Sequence, residues 1–164
     1  PISREIFQNI CGFSASPDFL DISYAEQNKE KFDAILMSQV LEHMSFSENP
    51  VNLIKMLLKK NGIVCISVPN HRSIFARVLG QKFPHFIPPE HVNFFSSKGL
   101  DAVFHNRGLT CIKSATSGRI QQIKILRSHW ILVFLLTYPC KAFDLVINFF
   151  GLGMFINKVY RKIE

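Results

Sequence analysis

With 164 residues, 48% of them hydrophobic, the chain holds enough apolar side chains for one packed domain and is too apolar for a disordered or collagen-like polymer. Its net charge of +7 and pI of about 9.4 do not come with cations interleaved among aromatics on one face, so no nucleic acid is expected as a partner. The four cysteines, Cys11, Cys65, Cys111 and Cys140, lack metal-ligand spacing; they read as buried free thiols, which points to a reducing, cytoplasmic setting.

Pro1 opens the chain without a basic-then-apolar leader, as a processed chain or a fragment would. Ile6 and Ile10 share one face of a short helix over residues 3–10. Residues 19–22 read as a brief strand and 27–31 as a polar turn. Residues 32–37, Phe-Asp-Ala-Ile-Leu-Met, are an apolar run of strand length without polar alternation, the pattern of a strand covered on both faces. A helix follows, with Asn49 as cap, Pro50 in the first turn, an apolar stripe of Val51, Ile54, Leu57 and Leu58, Lys59 and Lys60 at the negative end of its dipole, and Gly62 as its stop. Residues 63–68 form a second buried strand, halted by Pro69. Strand, helix and strand at this spacing predict a βαβ unit, a parallel sheet and right-handed crossovers. Ligands of such sheets lie beyond the carboxyl ends of the strands, which directs attention to the residues after Met37 and after Val68.

A short helix is predicted over residues 73–79. Pro84, Pro88 and Pro89 forbid a long helix between Phe83 and Phe95. Ser96 or Ser97 starts another helix, carrying Leu100, Val103 and Phe104 and stopped at Gly108, and residues 109–114 read as a strand. In residues 121–150, the run from Trp130 to Leu136 is interrupted by Pro139, Lys141 and Asp144. It falls short of the roughly 20 apolar residues a spanning helix needs. An apolar helical hairpin over 119–150 is expected instead, as a lid or a membrane-facing insertion. Arg119, Lys124, Arg127, Lys141, Lys158, Arg161 and Lys162 stand against only Asp144 and Glu164. Cations beside an apolar surface suit peripheral contact with an anionic membrane face through residues 121–150, at the inner side of a membrane; a solvated basic face is the alternative. Gly151-Leu152-Gly153 reads as a turn entering a final strand at 155–161. The domain reading is a partial core at 1–118, the hairpin at 119–150 and the last strand of the core within 151–164.

The segment Phe32-Asp33-Ala34-Ile35-Leu36-Met37-Ser38-Gln39-Val40-Leu41-Glu42-His43-Met44 resembles the fourth strand and following loop of class I S-adenosylmethionine-dependent methyltransferases, especially the branch that includes ubiquinone-biosynthesis O-methyltransferases. Leu57-Leu58-Lys59-Lys60-Asn61-Gly62 is similar to the ending of that family's next helix, and the strand to Pro69-Asn70 to its fifth strand. Pro88-Pro89-Glu90-His91-Val92-Asn93-Phe94-Phe95-Ser96 resembles a further segment of the same branch. The resemblance covers about residues 1–114. It implies an α/β fold, a Rossmann-like, mostly parallel sheet lacking its first strands, with the apolar hairpin inserted before the last strand.

The resemblance further implies S-adenosyl-L-methionine as cofactor. At the end of the strand, Ser38 and Gln39 can meet the amino-acid part of that cofactor, and Val40 and Leu41 supply apolar packing. Asp21 and Ile22 stand where the family has an acidic and an apolar residue beside the adenine, although Leu20 replaces the usual preceding glycine. Glu42 and His43 are candidates for orienting substrate or relaying a proton, and they equally suit a role in holding their turn. His91, with Glu90 as a possible partner, is the other candidate base; His85, His71 and Tyr24 have weaker cases. Relatives that bind a divalent ion here use an additional acidic residue where this chain has Gln39, so no metal is expected. No Gly-rich turn precedes Phe32, and residues 1–12 resemble the helix that follows the ribose-binding acid. The expectation is a fragment that binds the cofactor poorly or not at all alone, from a parent that methylates oxygen on a hydrophobic or lipid-linked acceptor. The competing readings are a non-catalytic membrane- or partner-binding module on the same scaffold, and a Rossmann-type dehydrogenase, which the Val-Leu-Glu-His and Pro-Glu-His segments disfavour.

Overall fold

Strand β1 (Phe32–Ser38) and strand β2 (Leu58–Pro69) are joined through helix α2 (Pro50–Leu57) and run parallel, with Ile35 opposite Val64 and Ser38 opposite Ser67. This is the βαβ unit that the spacing predicts. The computed structural model describes residues 20–45, 49–118 and 143–163. Within them lie α1 (Ile22–Gln27), α3 (Ile74–Leu79), a 3-10 turn (Gly80–Lys82), α4 (Ser97–His105), β3 (Leu109–Ser117) and β4 (Phe155–Lys162). A further helical stretch, α5, covers residues 143–149.

The described strands form one sheet in the order β1-β2-β4-β3, and β4 is antiparallel to both of its neighbours. β1, β2 and β3 therefore point the same way, and their carboxyl ends share one rim with the start of β4. The largest of three apolar clusters among the described residues forms where α2 and α4 cover the sheet. Val51 and Ile54 of α2 and Leu100 and Phe104 of α4 pack on Val64, Ile66 and Val68 of β2 and on Ile156 and Tyr160 of β4. The Phe104 and Tyr160 rings stack at 4.2 Å between centroids. Each such side chain removed from water contributes about 1.5–3 kcal/mol.

Several sequence expectations change. Ile22, expected in a brief strand, lies in α1, because Asp21 Oδ1 accepts a hydrogen bond from the Tyr24 amide at 2.8 Å and caps a helix there. Asn49 precedes α2 but makes no capping hydrogen bond; its backbone is left-handed and its side chain accepts from Arg107 Nε at 2.6 Å. Lys59 to Gly62 belong to β2 and not to a helix end. Asn61 has φ of 63°, and a side chain at Gly62 would come within 2.9 Å of the Lys59 carbonyl oxygen, so the Asn-Gly pair bends a strand. Only Met37 of β1 is buried; Leu36 is 77% exposed, so the second face of β1 is open among the described residues. Cys65 and Cys111 are free and half-buried rather than buried. The helix expected at 3–10 and residues 119–142 of the expected hairpin lie outside the described residues. Among those described, no helix is long and apolar enough to cross a membrane.

Candidate functional site

At the rim, β1 gives way at once to a turn. The Gln39 amide and its Nε2 both donate to the Ser67 carbonyl, at 2.9 and 3.2 Å, which anchors the chain as it leaves the sheet. Oε1 and the second Nε2 proton of the Gln39 side chain are not used in this anchor. Ser38 and Val40 stay exposed, while Leu41 is buried in the core. Glu42, only 1% exposed, follows.

The Pro-rich loop folds down onto this turn. The Val92 and Asn93 amides both donate to the Glu42 carbonyl at 3.0 Å, and Asn93 Nδ2 donates to the Met44 carbonyl at 2.6 Å and the Leu41 carbonyl at 3.3 Å. Asn93 was not singled out in the sequence, and this clamp is what brings His91 to Glu42 and His43. Ligand-capable atoms of Glu42, His43 and His91 lie within 4.8 Å of one another, and the two imidazoles meet edge to face at 4.6 Å.

The tautomers follow from the acceptors. A carbonyl can only accept, so His91 Nδ1–H donates to the His85 carbonyl (2.7 Å) and His43 Nδ1–H to the Glu90 carbonyl (2.9 Å). In the neutral rings both Nε2 atoms are then left as acceptors, the form a general base needs. Both carboxylate oxygens of Glu42 are buried without a hydrogen-bond partner among the described residues. A buried carboxylate left so is costly unless an imidazolium, a ligand or a cation meets it. Two imidazoles and one carboxylate are also a donor set able to hold a divalent ion. Glu90 contributes its carbonyl to the cluster. Asp21 keeps one carboxylate oxygen outside its cap, and Ile22 is exposed beside it.

His71 and His85 sit in an aromatic annex. The His71 ring is edge-on to Phe94 at 4.5 Å and Phe83 at 5.6 Å, and its Nε2 is buried without a partner among the described residues. Burial first, then the nearby His91 and His85, hold the His71 pKa down from 6.5 to about 4; burial and His91 lower that of His85 too. The unfolded chain takes up these protons near 6.5 while the folded one resists to about 4 for His71. Folded stability is therefore full above the unfolded value and drains away as pH falls through that window. The melting temperature is expected to drop between these two pH values, and His71→Phe to flatten the drop; scanning calorimetry across the window checks it, and an unchanged slope in the variant sinks the assignment.

The family described as "Methyltransferase domain" matches residues 2–114. No curated protein matches the sequence. Among solved structures, a SAM-dependent methyltransferase from Archaeoglobus fulgidus aligns with a TM-score of 0.59 at 14% identity, over 92% of this chain and 68% of that one. A SAM-dependent methyltransferase from Thermotoga maritima gives 0.54 at 15% identity, over 84% of this chain and 58% of that one. The cyclase SpnF gives 0.58 at 16% identity, over 98% and 62%. At such identities the likeness is one of fold, and this chain spans 58–68% of the length of these three neighbours. A cyclase among them is a reminder that chemistry rests on the site rather than the scaffold.

Proposed function

Because the chain belongs to the methyltransferase-domain family, we propose that the whole protein transfers the methyl group of S-adenosylmethionine to an oxygen of a hydrophobic or lipid-linked acceptor. The observation that carries this reading is the Glu42–His43–His91 cluster on the strand-end rim, where two imidazoles, each with its Nδ1 engaged, share a site with a buried carboxylate that has no partner among the described residues.

The rim residues suit the cofactor: an exposed hydroxyl at Ser38 and exposed apolar side chains at Val40 and Ile22 offer one polar and two apolar contacts, and the second Asp21 oxygen can accept from an adenine amino group. When bound, the cofactor supplies an electrophilic methyl on a sulfonium. The protein's part is to align the acceptor oxygen with that carbon. Nε2 of His91, or of His43 beside it, would take the proton of the acceptor hydroxyl. Glu42 offsets the positive charge that the imidazole then carries.

The apolar part of the acceptor rests on α5, where Leu145, Val146 and Phe149 are exposed while Ile147 is buried. The same face favours a second reading, a non-catalytic scaffold that docks on a membrane from the inner side. Calorimetric titration of the protein, expressed from its whole coding frame, with S-adenosylhomocysteine separates the two. A one-to-one binding isotherm is expected; the absence of any heat of binding would end the methyl-transfer reading.

A further inference from the structure

Beyond the carboxyl end of β2, on the same rim as Glu42, a cavity of about 520 Å³ opens between α3 and the start of α4. Among the described residues its lining includes Asn70, Arg72, Arg77, Ser96, Ser97 and Lys98, and no acidic one. Arg72, Arg77 and Lys98 have no ion-pair partner among the described residues, whereas Lys59, Lys158 and Lys162 each have a carboxylate. Three cations facing one concavity repel one another, and the arrangement is relieved when an anion occupies it.

The fold holds them there. Asn70, 1% exposed, accepts from the Arg72 amide at 3.0 Å and donates to the Gly153 carbonyl at 2.9 Å, which ties the turn after β2 to the turn before β4. Ser73 then caps α3 through the Ala76 amide at 3.1 Å and sets the helix on which Arg77 rides. Across the cavity, Ser96 caps α4 through Gly99, so Ser97 and Lys98 stand in its first turn, where amides lack helical acceptors. Guanidinium forks match the oxygens of phosphate, and the volume admits more than one such group.

We propose that this cavity binds a phosphate-class anion, a phosphate or pyrophosphate ester. The anion site stands on the cavity itself. That the acceptor carries this group rests on the methyl-transfer reading above, since both sites open on one rim.

The test titrates the whole protein with inorganic pyrophosphate by calorimetry, beside Arg72→Ala/Arg77→Ala and Lys98→Glu. Binding by the unmodified protein is expected, weakened about tenfold for each cation removed, with unchanged circular dichroism and with loss at high salt. Lys98→Glu, on an exposed first-turn position, keeps the test decisive should the double variant fail to fold. Equal affinity in Lys98→Glu and unmodified protein, or no binding at all, overturns the proposal. Flotation with phosphatidic acid and with phosphatidylcholine vesicles identifies the source. Recovery on phosphatidic acid alone, displaced by pyrophosphate, means a lipid headgroup; pyrophosphate binding without recovery means a soluble ester. Each of these supports the anion site. The S-adenosylhomocysteine titration is read separately, so a missing cofactor with an intact pyrophosphate site removes only the methyl-transfer reading.

Discussion

His91→Ala in the whole protein is expected to lower the methyl-transfer turnover by about 10²–10⁴-fold while S-adenosylhomocysteine affinity stays unchanged. His91 is 6% exposed, its Nδ1 is committed to the His85 carbonyl, and its ring belongs to the same cluster as the Glu42 carboxylate, which has no hydrogen-bond partner among the described residues. Removing the ring deletes the proton acceptor from the cluster. Glu42→Gln keeps the shape and removes the charge, so it is expected to lower turnover in the same direction by a smaller factor. A raised KM with turnover intact would instead make His91 a positioning residue. Chelators discriminate further: on the base reading ethylenediaminetetraacetate leaves the rate unaffected, whereas a loss restored by a divalent cation would turn the three residues into a metal centre and reverse the expectation drawn from Gln39.

Asp101→Ala is expected to cost about 3 kcal/mol of stability, or roughly 10 °C in melting temperature. The Lys158 side chain is 2% exposed and its ammonium meets Asp101 Oδ2, while the Tyr160 hydroxyl donates to Oδ1 at 2.9 Å. Among the described residues the ammonium then keeps only the Ser97 carbonyl, at 3.1 Å, in a place water barely reaches. Asp101 is itself 43% exposed, which holds the loss to the lower end of the range for a broken buried pair. Burial first, and then Asp101, push the Tyr160 phenol well above its ordinary range, so it remains a donor throughout. Asp101→Ala combined with Lys158→Met should recover much of the loss, because the apolar chain needs no partner. Chemical denaturation of the single and double variants checks both parts, and a double variant as unstable as the single one would show that the ion pair is not the cause.

What the chain reveals before folding is its local chemistry. The stripe of Val51, Ile54 and Leu57, the halts at Pro69 and around Gly108, and the Ser96 cap are local preferences, and each is realised in place. Glu42, His43 and His91 were visible as a motif, but their meeting depends on Asn93 reaching two carbonyls far upstream, which no local pattern encodes. The Lys158–Asp101–Tyr160 network is equally long-range; the sequence offered Lys158 only as one more cation. Lys59 to Gly62 misled for a different reason. Paired lysines followed by Asn-Gly are the usual chemistry of a helix end, yet the same residues serve a strand that must bend, and pairing with β1 decides between the two. Asp21 shows the reverse error: a short polar residue before Ile22 was itself the sign of a helix start.

The clasp between the Pro-rich loop and the turn after β1 bears on how the molecule breathes. Since the amides of Val92 and Asn93 are fastened to the carbonyl of Glu42, thermal drift of the loop carries its imidazole and the facing carboxylate along together. Loop and turn thus shift as one piece, and the two groups keep their spacing while they do.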